Sequence, residues 1–95
     1  MDKVSQSLVS IIILNYNADQ LLLDCVESIT KTNYDNFEII VVDNASVDGS
    51  HIKCKEKFKK IRLIENEKNL GYCEGNNVGI QDAKGDFIVI LNPDT

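Results

Sequence analysis

Histidine is almost absent from the sequence, and this scarcity limits the kinds of catalysis open to it. The one histidine, His51, lies in a segment with a thin apolar stripe. A nucleophilic serine or cysteine needs an adjacent base, so we interpret His51 as a surface or packing residue. The cysteines are odd in number and widely spaced, at Cys25, Cys54 and Cys73. That pattern fits neither a disulfide framework nor a zinc site and is typical of a reducing cytosol.

Strong positive charge and long apolar runs are lacking as well. The formal net charge is -5, which argues against nucleic acid as a partner, because phosphate binding depends on clustered Lys and Arg. The lysines of residues 53–60 are interrupted by Glu56; we interpret them as a solvated helix face, with a lipid or phosphate patch as the alternative. No run approaches the ~20 apolar residues of a membrane span, and the polar N-terminus has no signal-peptide apolar region.

What the sequence does have is four short apolar runs, each followed by polar turn residues. They predict strands at Leu8–Leu14, Phe37–Val42, Ile61–Ile64 and Phe87–Leu91. Runs without polar alternation are typical of strands covered on both faces, whereas Arg62 interrupts the third run and favours an edge position there. The intervening segments have helical periodicity. Strands joined by helices predict an α/β fold with a parallel sheet and right-handed crossovers.

The ends of the predicted helices are set by capping residues. The helices are expected at Ala18–Thr32, from about Ser46 to Phe58, and at Gly71–Lys84. Asn17 is a candidate cap for the first helix, with Gln20 reaching back as in a capping box. Ser46 is a candidate cap for the second helix.

Glycines mark the third predicted helix. Gly71, Gly75 and Gly79 recur at every fourth position and therefore share one face. Glycine in a helix interior costs roughly 0.5–1 kcal/mol relative to alanine, so the stripe indicates that backbone or a ligand approaches closely. Gly85 is expected to end the helix as a left-handed cap.

Polar residues follow every predicted strand. Because the carboxyl ends of parallel strands share one edge, and ligands bind just outside that edge, these residues should converge: Asn15, Tyr16 and Asn17; Asp43, Asn44, Ser46 and Asp48; Asn66 and Asn69; Asn92 and Asp94. An aromatic ring can stack on a base, and amides and carboxylates can pair with base edges or ribose hydroxyls. The set therefore suits a nucleotide or polyhydroxylated ligand.

A structural explanation competes for several of these residues. Asn and Asp favour turns whatever the function, and we interpret Asn66 and Asn69 in that way. The competing explanation for Asp48 is that it caps or stabilises the start of a helix. The competing explanation for Tyr16 is that it simply packs. For Asp43 and Asp94 we favour a functional role, because each follows a buried strand or its immediate turn.

Other nucleotide-binding designs fit less well. A Rossmann dinucleotide site also places an acid after the second strand, but it needs a glycine-rich first turn; residues 15–18 contain no glycine. The P-loop motif GxxxxGK[ST] is missing. A phospho-receiver domain should have acids after the first strand, where this chain has Asn15. An enzyme that makes activated sugars should have a glycine-rich loop and a basic residue after Leu14, and neither is present.

Four motifs together resemble the N-terminal half of a GT-A glycosyltransferase: VSIIILNYN, FEIIVVDNASVDGS, NLGYCEGNNVGI and GDFIVILNPDT. They occur in the family's order and spacing and cover nearly the whole chain. The branch that they resemble is the large inverting family two, which includes rhamnosyltransferases. The resemblance implies a three-layer, Rossmann-like parallel sheet, and we expect the strand order 3-2-1-4.

The resemblance also implies roles for individual residues. The donor would be a nucleoside-diphosphate sugar, with its base near Asn15, Tyr16 and Asn17 and with Asp43 and Asn44 at the base edge. Asn76 and Asn92 would lie in the donor site. Asp94 matches the last acid of the family's Asp-x-Asp motif and would bind Mn²⁺ or Mg²⁺. The motif here reads Asn92-Pro93-Asp94, with one carboxylate.

Family members continue well beyond the length of this chain, which stops at Thr95. The resemblance implies that the general base and the acceptor site lie beyond Thr95, so we assign no catalytic residue within the chain. We expect residues 1–95 to be a nucleotide-sugar-binding half-domain, truncated after the metal motif and inactive alone.

The expected surroundings of this half-domain follow from the same resemblance and from its exposed surfaces. The acceptor would be a saccharide, and the location cytoplasmic, with membrane association left open for a longer protein. Self-association through an exposed strand edge or uncovered core surface is expected. The alternative to a glycosyltransferase is a non-catalytic nucleotide- or sugar-binding module.

Overall fold

The computed structural model describes residues 7–93, in which strands and helices alternate. In chain order the elements are β1 (Val9–Asn15), α1 (Gln20–Thr30), β2 (Phe37–Asp43), α2 (Ser50–Lys57), β3 (Arg62–Glu65), α3 (Gly71–Asp82) and β4 (Phe87–Leu91). Every predicted strand and helix is present, with shifts of one to a few residues at the ends.

The strands form one parallel sheet in the order β3-β2-β1-β4, which confirms the predicted topology. Asn15 at the end of β1 is aligned with Asp43 at the end of β2, and Asp43 is aligned with Glu65 of β3. On the other side of β1, Ile13 is aligned with Leu91 of β4. The carboxyl ends of all four strands therefore meet at one edge, as we expected for the polar residues that follow them.

Two layers of helix explain why the runs in β1 and β2 are apolar without alternation. Ile13 and Val41 face one side of the sheet and pack with Leu22 and Val26 of α1 and Cys54 of α2. The opposite face of the same strands carries Ile12, Ile40 and Val42, which pack with Val78 and Ile80 of α3. Because successive residues of a strand point to opposite faces, a strand covered on both faces needs apolar residues throughout.

The glycine stripe of α3 brings that helix close to the sheet. A Cβ atom at Gly75 would lie 2.6 Å from Leu14 Cδ1, and one at Gly79 would lie 2.7 Å from Ile12 Cγ2. The close approach is confirmed, but the predicted partner is wrong, because side chains of β1, β2 and Asn44 approach the stripe and not backbone or a ligand. Gly71 is different, since nothing lies within 4 Å of the added Cβ, and its φ of 84° is the reason for glycine there.

The predicted cap of α1 is wrong. The helix begins at Gln20, and Asn17 lies outside it, where its Oδ1 accepts a hydrogen bond from Val47 N at 2.9 Å. Gln20 does not complete a capping box, because its Nε2 donates to Asp24 Oδ1 at 3.1 Å. Asn17 thus joins two loops at the carboxyl edge instead of capping its own helix.

The predicted cap of α2 is also wrong. The helix begins at Ser50, and Ser46 instead donates its hydroxyl to Asp43 Oδ1 at 2.7 Å. Asp48 serves the helix start, because its Oδ1 accepts from Ser50 N at 2.9 Å and from Ser50 Oγ at 2.7 Å. This contact agrees with the structural interpretation of Asp48.

The end of α3 differs from prediction as well. The helix ends at Asp82, Ala83 is extended, and Gly85 is not a left-handed cap. Gly85 instead lies against β1, where its N–H donates to Ser10 Oγ at 2.8 Å. An added Cβ would lie 2.5 Å from that oxygen, so the close approach to Ser10 explains the glycine.

The strand β4 was predicted to be buried, and in the described sheet it is exposed. Phe87 is 62% exposed, and Ile88, Val89 and Ile90 are 40–44% exposed. The reason is its position: β4 is the outermost strand beside β1, whereas α3 packs on β1 and β2. β3 is the other edge strand, as Arg62 indicated.

The remaining sequence-based interpretations concern His51, the cysteines and membrane spans. His51 is 8% exposed and packs inside the fold. All three cysteines are free, and burial, with a smaller effect of Cys25, raises the pKa of Cys54 to about 11. Among residues 7–93, no helix has the length and apolar character to cross a bilayer.

Candidate functional site

The carboxyl edge of the sheet contains a closed polar cluster centred on Asp43. Asp43 is 1% exposed. Its Oδ1 accepts from Asn15 Nδ2 at 2.8 Å and from Ser46 Oγ at 2.7 Å, and its Oδ2 accepts from Ser46 N at 2.9 Å. Both carboxylate oxygens are therefore engaged by the protein. In this structure Asp43 holds the turn after β2, and its contact with a nucleobase stays a prediction.

Asn15 and the start of α2 complete this cluster. Asn15 is fully buried, and its Nδ2 also lies 3.0 Å from Ser50 Oγ. His51, the next residue of α2, has its Nδ1 3.6 Å from Asp43 Oδ1 and its Nε2 3.4 Å from Glu65 Oε1. The proximity of His51 to Asp43 was missed from the sequence, because it depends on how α2 packs beside β2 and carries no local signal.

Asp48 ties the cluster to the start of α1. Besides its bonds to Ser50, its Oδ2 accepts from Asp19 N at 3.0 Å. Burial opposes ionisation of Asp48, but the donors on Ser50 and Asp19 outweigh it, and the pKa of the carboxyl lies below its ordinary value. The carboxylate is therefore held in its charged form as a structural acceptor.

Beside the closed cluster lies an open cavity of about 270 Å³. It is lined by Leu14, Tyr16, Ala18, Asn44, Asn69, Gly71, Tyr72, Asn92 and Pro93. Three predicted site residues, Tyr16, Asn44 and Asn92, are thus brought together from the ends of β1, β2 and β4. Asn15, Asn17, Asp43 and Asn76 are not among the lining residues.

Asn44 forms the inner wall of this cavity and is itself held from two sides. Its Nδ2 donates to Gly71 O at 3.1 Å, and its Oδ1 accepts from Asn66 Nδ2 at 2.9 Å. Asn66 N donates to Asp43 O at 2.8 Å, so Asn66 connects the polar cluster around Asp43 to the cavity wall at Asn44. An amide has two N–H donors and an oxygen with two lone pairs, so one donor and one lone pair of Asn44 remain unused, although the residue is only 2% exposed.

Two further lining residues are Tyr72, which the sequence did not identify, and Asn69, which we interpreted as a turn residue. Asn69 Oδ1 accepts from Gly71 N at 2.8 Å, so its turn role is correct, yet it also borders the cavity. Tyr72 is 60% exposed. A signal existed in retrospect: Tyr72 directly follows a glycine at the start of a helix, and helix starts face the carboxyl edge of a parallel sheet.

Asn76 lies in α3 and is 3% exposed. Neither its Nδ2 nor its Oδ1 has a hydrogen-bond partner among residues 7–93. Leaving a buried polar group unpaired costs about 1–3 kcal/mol. We therefore expect that a partner outside the described residues satisfies this side chain.

The predicted metal ligand, Asp94, lies outside the described residues. Within residues 7–93 there is no group of three His, Cys, Asp or Glu side chains that could hold a metal ion. The cavity does offer amide oxygens, and Mg²⁺ commonly uses one or two protein carboxylates together with substrate phosphates. One carboxylate beside a diphosphate is thus chemically compatible with such an ion.

Thr95, the position beyond which the general base is expected, also lies outside the described residues. The placement of the base and of the acceptor site beyond Thr95 therefore stays a prediction. No residue within 7–93 that lines the cavity is a carboxylate or a histidine. Among the described residues, the cavity therefore offers binding groups and no side chain of the type that usually deprotonates an acceptor hydroxyl.

The fold and the cavity define an α/β protein whose candidate ligand site lies at the carboxyl edge of a parallel sheet. In open α/β sheets, ligands bind at the carboxyl edge where the strand order reverses. Here the chain crosses from β3 at one edge to β4 on the other side of β1, and the cavity lies at the ends of β1, β2 and β4. Residues 10–95 match the family model described as "Glycosyl transferase family 2". The chain belongs to this family.

Two curated relatives show the extent of the similarity. "Glycosyltransferase GlyG" of Streptococcus pneumoniae serotype 4 is 37% identical over 90 residues, which cover 92% of this chain and 30% of that protein. "UDP-Glc:alpha-D-GlcNAc-diphosphoundecaprenol beta-1,3-glucosyltransferase WfgD" of Escherichia coli is 35% identical over 88 residues, covering 92% and 35% respectively. The chain therefore spans about a third of the length of these relatives.

A solved structure agrees with the observed fold. The mannosyltransferase PcManGT of Pyrobaculum calidifontis, in complex with GDP-Man and Mn²⁺, superposes with a TM-score of 0.81 at 27% identity. The superposition covers 90% of this chain and 27% of that protein. The α/β sheet described above is thus the same arrangement of elements as in a glycosyltransferase of the GT-A type.

Proposed function

We propose that the open cavity binds the nucleotide part of a nucleoside-diphosphate sugar, and that the longer protein transfers the sugar to a saccharide acceptor. The observation that carries this proposal is the convergence of Tyr16, Asn44 and Asn92 on one cavity at the carboxyl edge. Family membership supports it, and so does the mannosyltransferase structure, which contains GDP-Man. The E. coli relative is named for a UDP-Glc donor.

Within this proposal the predicted residues have distinct tasks. Tyr16, which is 53% exposed, offers its ring to the base. Asn44 offers its remaining donor and acceptor capacity to the base edge. Asp43, with Asn15 and Asn17 around it, keeps the two loops in place and contacts the base only if the turn after β2 opens on binding. Asn76 and Asn92 complete the donor site.

We propose further that Asp94 and the donor's diphosphate together hold Mn²⁺ or Mg²⁺. Such an ion would supply Lewis-acid stabilisation of the departing diphosphate. The Mn²⁺ in the mannosyltransferase structure supports this assignment. The residues of this chain would bind and orient the nucleotide.

Other parts of the proposal concern the longer protein. Residues 1–95 would be the donor-binding half of a domain whose general base and acceptor site lie beyond Thr95. We propose the rhamnosyltransferase-like branch because of the Asn92-Pro93-Asp94 motif. We propose a cytoplasmic location because the three cysteines are free. The exposed strand β4 supports self-association of the chain.

Calorimetric titration of the chain with UDP, GDP and dTDP, with and without Mn²⁺, tests the proposal. We expect at least one nucleotide to bind, more tightly with Mn²⁺, and the Mn²⁺ effect to be lost in Asp94→Ala. Asp35→Ala, an exposed acid before β2, is the matched control and should bind as the unmodified chain does. Binding that ignores both Mn²⁺ and Asp94→Ala would favour the non-catalytic module, and no binding at all would refute the site.

A further inference from the structure

Two tyrosines border the cavity from different parts of the fold. Tyr16 follows β1, and Tyr72 lies in the first turn of α3. They are 53% and 60% exposed, and neither hydroxyl makes a hydrogen bond to another described residue. The third tyrosine, Tyr34, behaves differently, because its hydroxyl donates to Ser7 O. The two cavity tyrosines therefore leave both their rings and their hydroxyls available.

The position of Tyr72 is set by its neighbours more tightly than its exposure implies. Gly71, directly before it, adopts a φ of 84° that side chains rarely allow. The N–H of Gly71 is bound to Asn69 Oδ1 at 2.8 Å, and its carbonyl is bound to Asn44 Nδ2 at 3.1 Å. At Gly75, one turn later, the helix backbone packs closely against the side chains of Leu14 and Asn44. An exposed aromatic ring on such a fixed backbone loses little entropy when a ligand packs against it.

The rest of the cavity lining suits a flat heteroaromatic ring. Leu14, Ala18 and Pro93 supply apolar surface, while Asn44 and Asn92 supply amide groups. No described residue that lines the cavity carries a formal charge, so the cavity floor does not itself compensate the charge of a phosphate. A nucleobase needs apolar surface against its faces and polar groups at its edges. The lining of this cavity supplies both.

We propose that Tyr72 is a second aromatic wall for the nucleobase, so that the base of the donor is held between Tyr16 and Tyr72. This inference rests on the proposed function and adds a base-binding residue that neither the sequence motifs nor the comparisons assign. Base–aromatic stacking is sequence-tolerant because every base has a π-face. The two rings would therefore strengthen binding of any base, and the amides would select among bases.

The test uses the intrinsic fluorescence of the chain, which contains no tryptophan and three tyrosines. In a Tyr34→Phe background only Tyr16 and Tyr72 emit. Into this background we would introduce Tyr72→Phe, Tyr72→Leu and Tyr16→Leu, and titrate each variant with UDP, GDP and inorganic pyrophosphate in the presence of Mn²⁺. Leucine preserves apolar bulk, and phenylalanine preserves the ring, so the pair separates stacking from general packing.

We expect Tyr72→Leu to bind the preferred nucleotide about 5- to 100-fold more weakly, and Tyr72→Phe to bind it within about twofold of the background chain. Pyrophosphate binding and the melting temperature should not change in either variant, because Tyr72 is exposed. In Tyr16→Leu the remaining tyrosine emission comes from Tyr72, and we expect the nucleotide to quench it.

The outcomes separate the two proposals. If the background chain and Tyr72→Leu bind nucleotide equally, the proposed stacking role of Tyr72 is wrong and the proposed function stands. If Tyr72→Leu weakens the binding of pyrophosphate as much as that of the nucleotide, Tyr72 acts through the start of α3. The proposed stacking role is wrong in that case too. If the background chain binds no nucleotide, the proposed function falls and the wall with it.

Discussion

The two halves of the carboxyl edge are built from similar residues and behave in opposite ways. On the side of α1 and α2, Asp43 is closed in by Asn15 and Ser46, and its oxygens are all engaged. On the side of α3, Asn44 borders an open cavity together with Tyr16. Two consecutive residues of the chain, Asp43 and Asn44, therefore belong to a closed cluster and to an open cavity.

The difference indicates a division of labour at this edge. A buried charge is tolerated when several donors surround it, and the closed cluster uses its carboxylate in that way to connect β1, β2 and the start of α2. In the open half Asn44 is also buried, at 2% exposed, and the exposed side chains that border the cavity are Tyr16 and Tyr72. Substitutions in the closed half should therefore act mainly on stability, and substitutions in the open half mainly on binding.

The largest effect on this comparison is expected from Asp43→Ala. The substitution removes the acceptor for Asn15 Nδ2, Ser46 N and Ser46 Oγ, and we expect the free energy of unfolding to fall by about 2–4 kcal/mol. Urea denaturation measures it. The matched control is Asp35→Ala, at an exposed acid, for which we expect less than about 0.5 kcal/mol. A loss as small in Asp43→Ala would show that the cluster is not structural.

Gly79→Ala tests whether the open half depends on the seating of α3. The new Cβ would lie 2.7 Å from Ile12 Cγ2 and 3.0 Å from Val42 Cγ2, and both side chains are fully buried. We expect a loss of about 1–3 kcal/mol from overpacking and weaker nucleotide binding, because α3 also carries Gly71. Gln81→Ala, at an exposed position of the same helix, should change neither. Unchanged binding in a destabilised Gly79→Ala chain would separate the cavity from the helix position.

Glu38 provides a pH-dependent reference at the opposite edge of the sheet. Burial raises its pKa, but Ser10 Oγ, Lys84 N and the charges of Arg62 and Lys84 outweigh this, and the pKa lies below its ordinary value of 4.5. A lowered pKa in the folded state contributes stability above the unfolded-state value, and this stability is lost as the pH falls through the folded-state pKa.

We therefore expect Glu38→Gln to cost about 1–2 kcal/mol at pH 7, and the difference from the unmodified chain to shrink as the pH falls below 4.5. Denaturation curves at several pH values measure this. Glu67→Gln, at an exposed acid, should show no such pH dependence. Nucleotide binding at pH 7 should be the same in Glu38→Gln, and a loss of binding would contradict the separation of the two edges.

The smallest effect on stability is expected from Asn66→Ala, which removes the side-chain bond from Asn66 to Asn44. The substitution removes the donor to Asn44 Oδ1 and should cost about 1 kcal/mol of stability. Because Asn44 then keeps only its bond to Gly71 O, its amide is less firmly oriented, and we expect nucleotide binding to weaken several-fold in calorimetry. Asn33→Ala, an exposed residue before β2, is the control. If only stability changes, Asn66 belongs to the closed half alone.

The sheet could be predicted from the sequence because its determinants are local. The apolar runs of β1 and β2 mark strands covered on both faces, and the helical segments between them require parallel strands. The glycine stripe also carried reliable information, since Gly75 and Gly79 do meet the sheet. The convergence of Tyr16, Asn44 and Asn92 follows from that topology.

The errors arose where a side chain had a choice between local and distant partners. Asn17 and Ser46 have the chemistry of helix caps, but Asn17 Oδ1 accepts from Val47 N across the edge, and Ser46 Oγ accepts from Asn17 N across the edge as well as donating to Asp43 within its own turn. Sequence spacing cannot rank these options, because each would satisfy the hydrogen-bonding groups of the side chain. The exposure of β4 depends on what packs beside it, which the local pattern does not show, whereas the position of Tyr72 had a local signal in the glycine before it.

The outermost place of β4 has a consequence for amide exchange along this strand. In a parallel ladder, the N–H and C=O groups of alternate residues point to opposite sides of the strand. In the described sheet only the β1 side of β4 is paired. Every second amide from Phe87 to Leu91 therefore faces solvent, and the strand should exchange hydrogen at two speeds, fast and slow in alternation. Covering this edge would slow the fast set, which makes deuterium uptake at β4 a direct gauge of whatever pairs with it.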